Sequence, residues 1–383
     1  MRVRSRVRSR IRSLKRFRHP YYPQFVFGLP LSKGETPVFT YHDADPESFA
    51  ADLSFLRHNG YRTLSTAEFV STRGRSGADL GVLLTFDDAR RSFWEVAFPL
   101  LQKFKARATL FAPTHWMAGA QQAVAGDSLE ECRRSLFMSW EQLRACSRSG
   151  LVDIQSHGHR HALVYTSNRL VDFASPGSFV TSDVYDWPMR WDGQKDIFGL
   201  PPLGTPIYEA APLFSAHQRT IEDRAVTRQC QEFVATRGGA DFFRHADWHD
   251  QLAAAHKAAQ ANRSHPAPMN PASFLSLLRS DFLLSNSFFQ EEMGAYPRYL
   301  AFPWWLGSET SIEAAALSGI EAVFGVDMDF HRAHLPGRRT LVFSRTTQKW
   351  LRFLPGEGRL QLHRPRVLSN HFKHFFPRAF LAH

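Results

Sequence analysis

The stretch "LLTFDDAR", residues 83–90, decides how the chain is read. With Val82 it forms a short apolar run behind Gly81, the pattern of a buried strand. The run ends on two adjacent carboxylates, Asp87 and Asp88. Burying neighbouring acids strips their hydration and sets like charges together. Such a pair needs a cation beside it, and then one acid can bind the cation while the other handles a proton.

Outward from this stretch, strands and helices alternate as in an α/β fold. "PVFTYHD" (37–43) reads as a strand and "PESFAADLSFLRHNG" (46–60) as a helix closing on Gly60, a C-cap glycine. "YRTLS" (61–65) is a short strand before a helix at "TAEFV" (66–70), and "STRGRSGADLG" (71–81) is a polar loop. After the acids come a helix over "SFWEVAFPLLQKF" (92–104), a strand in "ARATLFAPTHW" (106–116), a helix in "SWEQLRACSRSG" (139–150) and the strand of "LVDIQSHGHRH" (151–161). The rhythm resumes at "RYLAFPWW" (298–305), "ETSIEAAALSG" (309–319) and "EAVFGVD" (321–327).

Between residues 165 and 285 the alternation breaks into a Pro-, Gly- and aromatic-rich stretch followed by mostly helical patterning. A structureless loop of that length does not belong in a compact domain, so this is an insertion with its own structure. The expected organisation is a basic N-terminal tail (1–34), a first part of a barrel (35–164), the insertion (165–285), the rest of the barrel (286–350) and a basic, aromatic C-terminal tail (351–383).

In a parallel barrel, reactive groups collect at the C-terminal ends of strands. Asp87 and Asp88 end one strand, and His157, His159 and His161 end another about seventy residues later. Imidazole and carboxylate suit a divalent ion such as zinc, with three protein ligands and one open position. An isolated His-x-x-x-His reads as a solvated loop pair, and isolated adjacent acids read as a helix cap. Both features at strand ends of one alternating fold outweigh those readings.

"TFDD" followed by "SHGHRH" resembles the first two motifs of the polysaccharide deacetylases, the NodB-homology carbohydrate esterases. The resemblance implies a distorted (β/α) barrel with a large, mostly helical insertion. It implies Asp87 as catalytic base, Asp88, His157 and His161 as metal ligands, and zinc as the metal. "YLAFPWWLGS" (299–308) resembles the third motif, which places Pro303, Trp304 and Trp305 along the substrate groove, with the Trp304 N–H near the oxyanion. The implied reaction is hydrolysis of N-acetyl or O-acetyl groups of a glycan, with metal-bound water as nucleophile.

The chain departs from the family pattern in several places. Gly158 stands where the second motif has Ser or Thr, and Trp305 replaces the closing glycine of the third. The arginine of one form of that motif is absent, with Arg298 nearby. No Leu-x-His supplies a general acid, leaving His331, His334 and His363 as candidates. Arg345 in "FSRTT" matches an arginine of related branches. A barrel that binds glycan without hydrolysing it, or a membrane-tethered glycan-binding factor, is the competing expectation.

Composition narrows the class. An apolar share of 43% and a charged share of 22% suit a globular protein. The formal net charge of +11 is concentrated in "MRVRSRVRSRIRSLKRFR", which holds nine Arg or Lys and no acid. The remainder is nearly balanced, which argues against a nucleic-acid-binding domain. Val3, Val7, Ile11 and Leu14 fall at helical spacing between those arginines, so the tail is either an amphipathic helix for an anionic membrane surface or a disordered basic tether. Cys132, Cys146 and Cys230 are too few and scattered for a disulfide framework, which places the chain in the cytoplasm, at the membrane inner face if the tail binds lipid.

Overall fold

The structure, a computed structural model, describes residues 23–31, 34–75, 80–117, 136–181, 184–261, 263, 267–325 and 340–361. The N-terminal basic segment, residues 371–383, Cys132, His331, His334 and His363 lie outside the described residues.

The central sheet is parallel throughout. Its strands are β1 (Val38–Tyr41), β2 (Arg62–Thr63), β3 (Gly81–Phe86), β4 (Ala108–Ala112) and β5 (Val152–Ser156), resumed much later in the chain. Between β1 and β5 run α1 (Pro46–His58), α2 (Thr66–Ser71), α3 (Phe98–Phe104) and α4 (Trp140–Arg148). Side-chain caps start several of these helices. Asp45 accepts from the Ser48 N–H ahead of Pro46, and capping boxes form at Ser65/Glu68 and Ser139/Gln142. The stretch read as one helix after the acids begins instead as a π-turn, Phe93–Ala97, with the Phe98 N–H bonded to the Phe93 carbonyl. Pro99 lacks the N–H that an α-turn would send to Glu95, and the wider turn accommodates that gap.

After β5 the chain continues through β6 (Leu163–Phe173), α5 (Pro176–Thr181), β7 (Arg190–Trp191), β8 (Asp196–Ile197), β9 (Pro206–Pro212), α6 (Arg224–Ala235), α7 (Trp248–Gln260) and α8 (Pro271–Met293) before the main sheet returns. β6 pairs with β9 and β7 with β8, both antiparallel. α6 and α7 enclose a small core of Val226, Cys230, Val234, Leu252 and Phe173. α8 packs on the barrel itself, its Phe274, Leu278 and Phe282 sharing a cluster with Phe214, Phe302 and Ile312.

The main sheet then resumes with β10 (Tyr299–Ala301), α9 (Glu309–Leu317), β11 (Ala322–Gly325), β12 (Leu341–Ser344) and β13 (Thr346–Thr347). The strand order is β12-β11-β10-β5-β4-β3-β1-β13, with β2 also on β3. Only Arg345 separates β12 from β13, so one continuous stretch pairs with β11 on one side and β1 on the other. That stretch nearly closes the barrel. The seam between β5 and β10 is loose, with the single pairing Leu300–Ser156. There the Gln155 side-chain oxygen accepts the N–H groups of Arg298 and Tyr299, standing in for the missing ladder. The expected α/β architecture, a distorted (β/α) barrel with a large and largely helical insertion, is therefore what the chain forms.

Strand alternation sets which side chains meet. Leu84 and Phe86 of β3 join the large cluster under the helices, whereas Leu83 belongs to a second cluster with Val38, Phe111, Tyr299, Ala301 and Phe324 from other strands. That second cluster fills the barrel. Two-residue periodicity carries Leu83, Thr85 and Asp87 along the inner face, so Asp87 tops the barrel interior.

Candidate metal centre

Asp87 and Asp88 follow the last residue of β3, and His157 follows the last residue of β5. The two strands are separated by β4 alone. Asp88 Oδ1 lies 3.5 Å from His157 Nε2 and 3.3 Å from His161 Nε2. The three ligand atoms sit within 4.8 Å of one another and all three residues are buried. Such separations are long for hydrogen bonds, and Asp88 Oδ1 has no hydrogen-bond partner among the described residues. They match a tetrahedral ion: bonds of about 2.0–2.2 Å place ligands about 3.3–3.6 Å apart. His157 Nδ1 lies 2.8 Å from the Ala301 carbonyl oxygen, a contact that puts the proton on Nδ1 and leaves Nε2 free to coordinate. His161 is held instead by packing, its ring stacked on Tyr185 with centroids 3.7 Å apart and tilted against Trp304 at 4.3 Å. The donor set thus fits a divalent metal with an open position.

Charge on the two acids is sustained in different ways. Burial pushes the Asp88 carboxyl up, but His157 and His161 hold it well below the usual carboxylate range. Arg90 Nε stands 3.5 Å from Asp88 Oδ2, on the side away from the histidines. Burial also raises Asp87, and the Arg345 guanidinium reverses this, leaving Asp87 below its ordinary value. Arg345 donates from Nη1 to Asp87 Oδ1 at 2.7 Å and from Nη2 to Oδ2 at 2.8 Å. The partner of Asp87 is therefore the residue that links β12 to β13.

Backbone strain gathers at this centre. Seven described non-glycine residues have left-handed φ, and five of them are Asp88, Ala89, His161, Trp304 and Trp305. A side chain in that region costs about 1–3 kcal/mol and persists where the surroundings over-determine it. The left-handed turns aim Asp88 and His161 inward and bring Trp304 against His161.

Of the groove residues expected from the third motif, Trp304 and Trp305 are half-buried at the rim and Pro303 is buried beneath them. His159 is buried away from the three ligands. Its Nδ1 lies 2.8 Å from Thr114 Oγ1 and its ring stacks on Phe288. Arg298 stands at the opposite, N-terminal end of β10, paired with Glu321 through two 2.8 Å contacts, and takes no part in the centre. His42 was not singled out in the sequence. It follows β1, is exposed, stacks 6.3 Å from Trp305, and lies close enough to Asp87 and Asp88 to act on both electrostatically. The available signal was its place at a strand end, the same place that marks Asp87 and His157.

Comparison with known proteins agrees with the motif pattern. Residues 75–174 match the family described as Polysaccharide deacetylase. Over 109 residues the chain is 35% identical to the poly-beta-1,6-N-acetyl-D-glucosamine N-deacetylase of Escherichia coli (strain K12), a match covering 27% of this chain. The chain spans 16% of the length of that curated relative. Among solved structures, the BpsB deacetylase domain from Bordetella bronchiseptica aligns at a TM-score of 0.49 and 18% identity, covering 82% of this chain and 95% of that one. A de-N-acetylase from Aggregatibacter actinomycetemcomitans aligns at a TM-score of 0.47 and 15% identity, covering 89% and 99%.

Proposed function

We propose that this chain, whose residues 75–174 carry the polysaccharide deacetylase signature, is a metal-dependent N-deacetylase of an acetylated glycan. The observation that carries this reading is the convergence of Asp88, His157 and His161 beside a separately held Asp87. A divalent ion held by the three ligands, zinc as first choice, would lower the pKa of a coordinated water towards about 7 and polarise the acyl carbonyl.

The chain's own groups supply the rest. Asp87 takes the proton from the attacking water, and Arg345 keeps that carboxylate ionised and aligned. The water oxygen adds to the acetyl carbon, while the Trp304 N–H is the candidate donor to the oxyanion. The C–N bond then breaks, and His42 delivers a proton to the departing amine nitrogen. Acetate and a free amine on the sugar result. Trp304 and Trp305 offer aromatic faces to the sugar rings. The relative from Escherichia coli favours an N-acetylhexosamine polymer over an O-acetyl ester.

The test is acetate release from a panel of N- and O-acetylated glycans, with zinc, cobalt and chelator arms. The reading requires release that chelator stops and added metal restores. Glycan binding without any acetate release would replace it with a noncatalytic binding protein. None of the described helices is long and apolar enough to cross a membrane. Independently of this, the nine Arg and Lys of residues 1–18 would favour an anionic membrane surface, at about 1 kcal/mol per basic residue. Sedimentation with vesicles should then need anionic lipid and fall as salt rises.

A further inference from the structure

The loop that carries both histidine ligands does not hold its shape alone. Between His157 and His161 it passes through two left-handed residues, Gly158 at φ 78° and His161 at φ 45°. Its backbone is tied down by α8, more than a hundred residues later in the chain. The Asp281 carboxylate, fully buried, accepts the His159 N–H at 2.6 Å on Oδ1 and the Arg160 N–H at 3.2 Å on Oδ2. The Arg160 guanidinium closes back on the same Oδ2 at 3.0 Å. One turn further along α8, Ser285 Oγ meets Ser156 Oγ at 2.9 Å, and Ser156 Oγ in turn accepts the Gly158 N–H at 3.0 Å. Phe288 then stacks on His159 at 5.3 Å. Positions 281, 285 and 288 fall on one helix face, so a single stripe of α8 grips the loop.

The same contacts account for Gly158, where the family motif has Ser or Thr. A Cβ there would lie 2.8 Å from the Phe214 ring and 3.0 Å from Asp281 Oδ1. Phe214 and Asp281 both lie in the long stretch of chain between β5 and β10.

We infer that Asp281 is a positioning residue of the metal centre: it presets the turn that brings His157 and His161 together facing Asp88. This rests on the metal-centre part of the proposed function, and on nothing about the substrate. It follows that α8, more than a hundred residues along the chain from the motif, helps to build the centre. Partners outside the ligand set typically change metal affinity 10–100-fold when removed.

The test is cobalt(II) titration of the metal-free full chain, followed by the visible spectrum of the tetrahedral ion. Asp281→Asn turns one acceptor oxygen into an NH2 group that faces an N–H donor whichever way the amide is turned. Its cobalt affinity should fall about 10–100-fold with an altered spectrum, while Asp281→Glu should recover part of the loss. A folded Asp281→Asn chain with parental affinity and spectrum overturns the inference. If that variant does not fold, Arg160→Gln carries the test, since it removes only the outer arm of the clamp from a partly exposed side chain. The inference requires a measurable drop in its affinity, and parental affinity overturns it. A parent chain that binds no cobalt overturns the metal centre and this inference together. A parent that binds cobalt tightly and releases no acetate overturns only the deacetylase reading, and a drop in the variants then still supports Asp281.

Discussion

Arg345 clamps Asp87 through two parallel hydrogen bonds of 2.7 and 2.8 Å, and neither side chain reaches solvent. Bidentate pairing fixes the plane of the carboxylate as well as its charge. Because Arg345 lies between β12 and β13, the position of the base depends on closure of the barrel.

Arg345→Met should therefore shift the pH profile of turnover. In the parent, the folded pKa of Asp87 is depressed, so its contribution to stability is present above about pH 4 and is lost as pH falls through the folded value. Without the guanidinium, burial dominates and Asp87 holds its proton to higher pH. The acid limb of the rate profile should move to higher pH, with a stability loss of about 3–5 kcal/mol for the stranded charge. A folded variant with an unmoved acid limb would separate Asp87 from the base role.

His42→Ala should lower turnover on an N-acetylated glycan by about 100-fold or more while metal content stays at the parental level. The dependence on leaving group is the sharper readout. An aryl acetate expels a stable phenolate that needs no proton, so its hydrolysis should lose far less. Equal losses on both substrates would mean that His42 acts in some other way.

Asp52 gives a stability prediction unconnected with the metal. It is buried, its Oδ2 accepts from the Tyr41 hydroxyl at 3.0 Å, and Arg352 Nε lies 3.2 Å from Oδ1. Burial raises its pKa from 3.8 to about 6, against the opposing effects of Tyr41 and Arg352. The folded state holds this proton more tightly than the unfolded chain. That stabilisation is complete below about pH 4 and is lost as pH rises to about 6. Urea unfolding of parent and Asp52→Asn at pH 4 and pH 7 should show the parent losing on the order of 3 kcal/mol relative to the variant. A pH-independent difference would contradict the assignment.

Much of this architecture was readable from short stretches. The apolar run before Asp87 and the β-to-helix alternation specified a parallel α/β sheet, because parallel strands buried on both faces leave that signature, and the resemblance of the motifs implied its closure into a barrel. Asp88, His157 and His161 were legible because strand ends of one sheet converge. Other features needed coordinates. The two-pronged hold of Arg345 on Asp87 is a matter of geometry that no spacing encodes. His42 looks like any histidine after a strand until Trp305 and the acids appear beside it. Asp281 sits in a helix whose sequence reads only as helical. The left-handed backbone at Trp304 and Trp305 also defeats pattern reading, since neither residue favours that region. The π-turn at Phe93–Ala97 depends on one missing N–H at Pro99, a local effect that periodicity averages away.

The central claim is that Asp88, His157 and His161 form one metal site while Asp87 works beside it without being a ligand. Elemental analysis of the purified parent, Asp88→Ala, His157→Ala, His161→Ala and Asp87→Asn chains tests it most directly. The expected result is about one divalent ion per chain in the parent and in Asp87→Asn, and loss of the ion in each of the other three. Full occupancy in any ligand variant, or an empty Asp87→Asn chain that is otherwise folded, would contradict it.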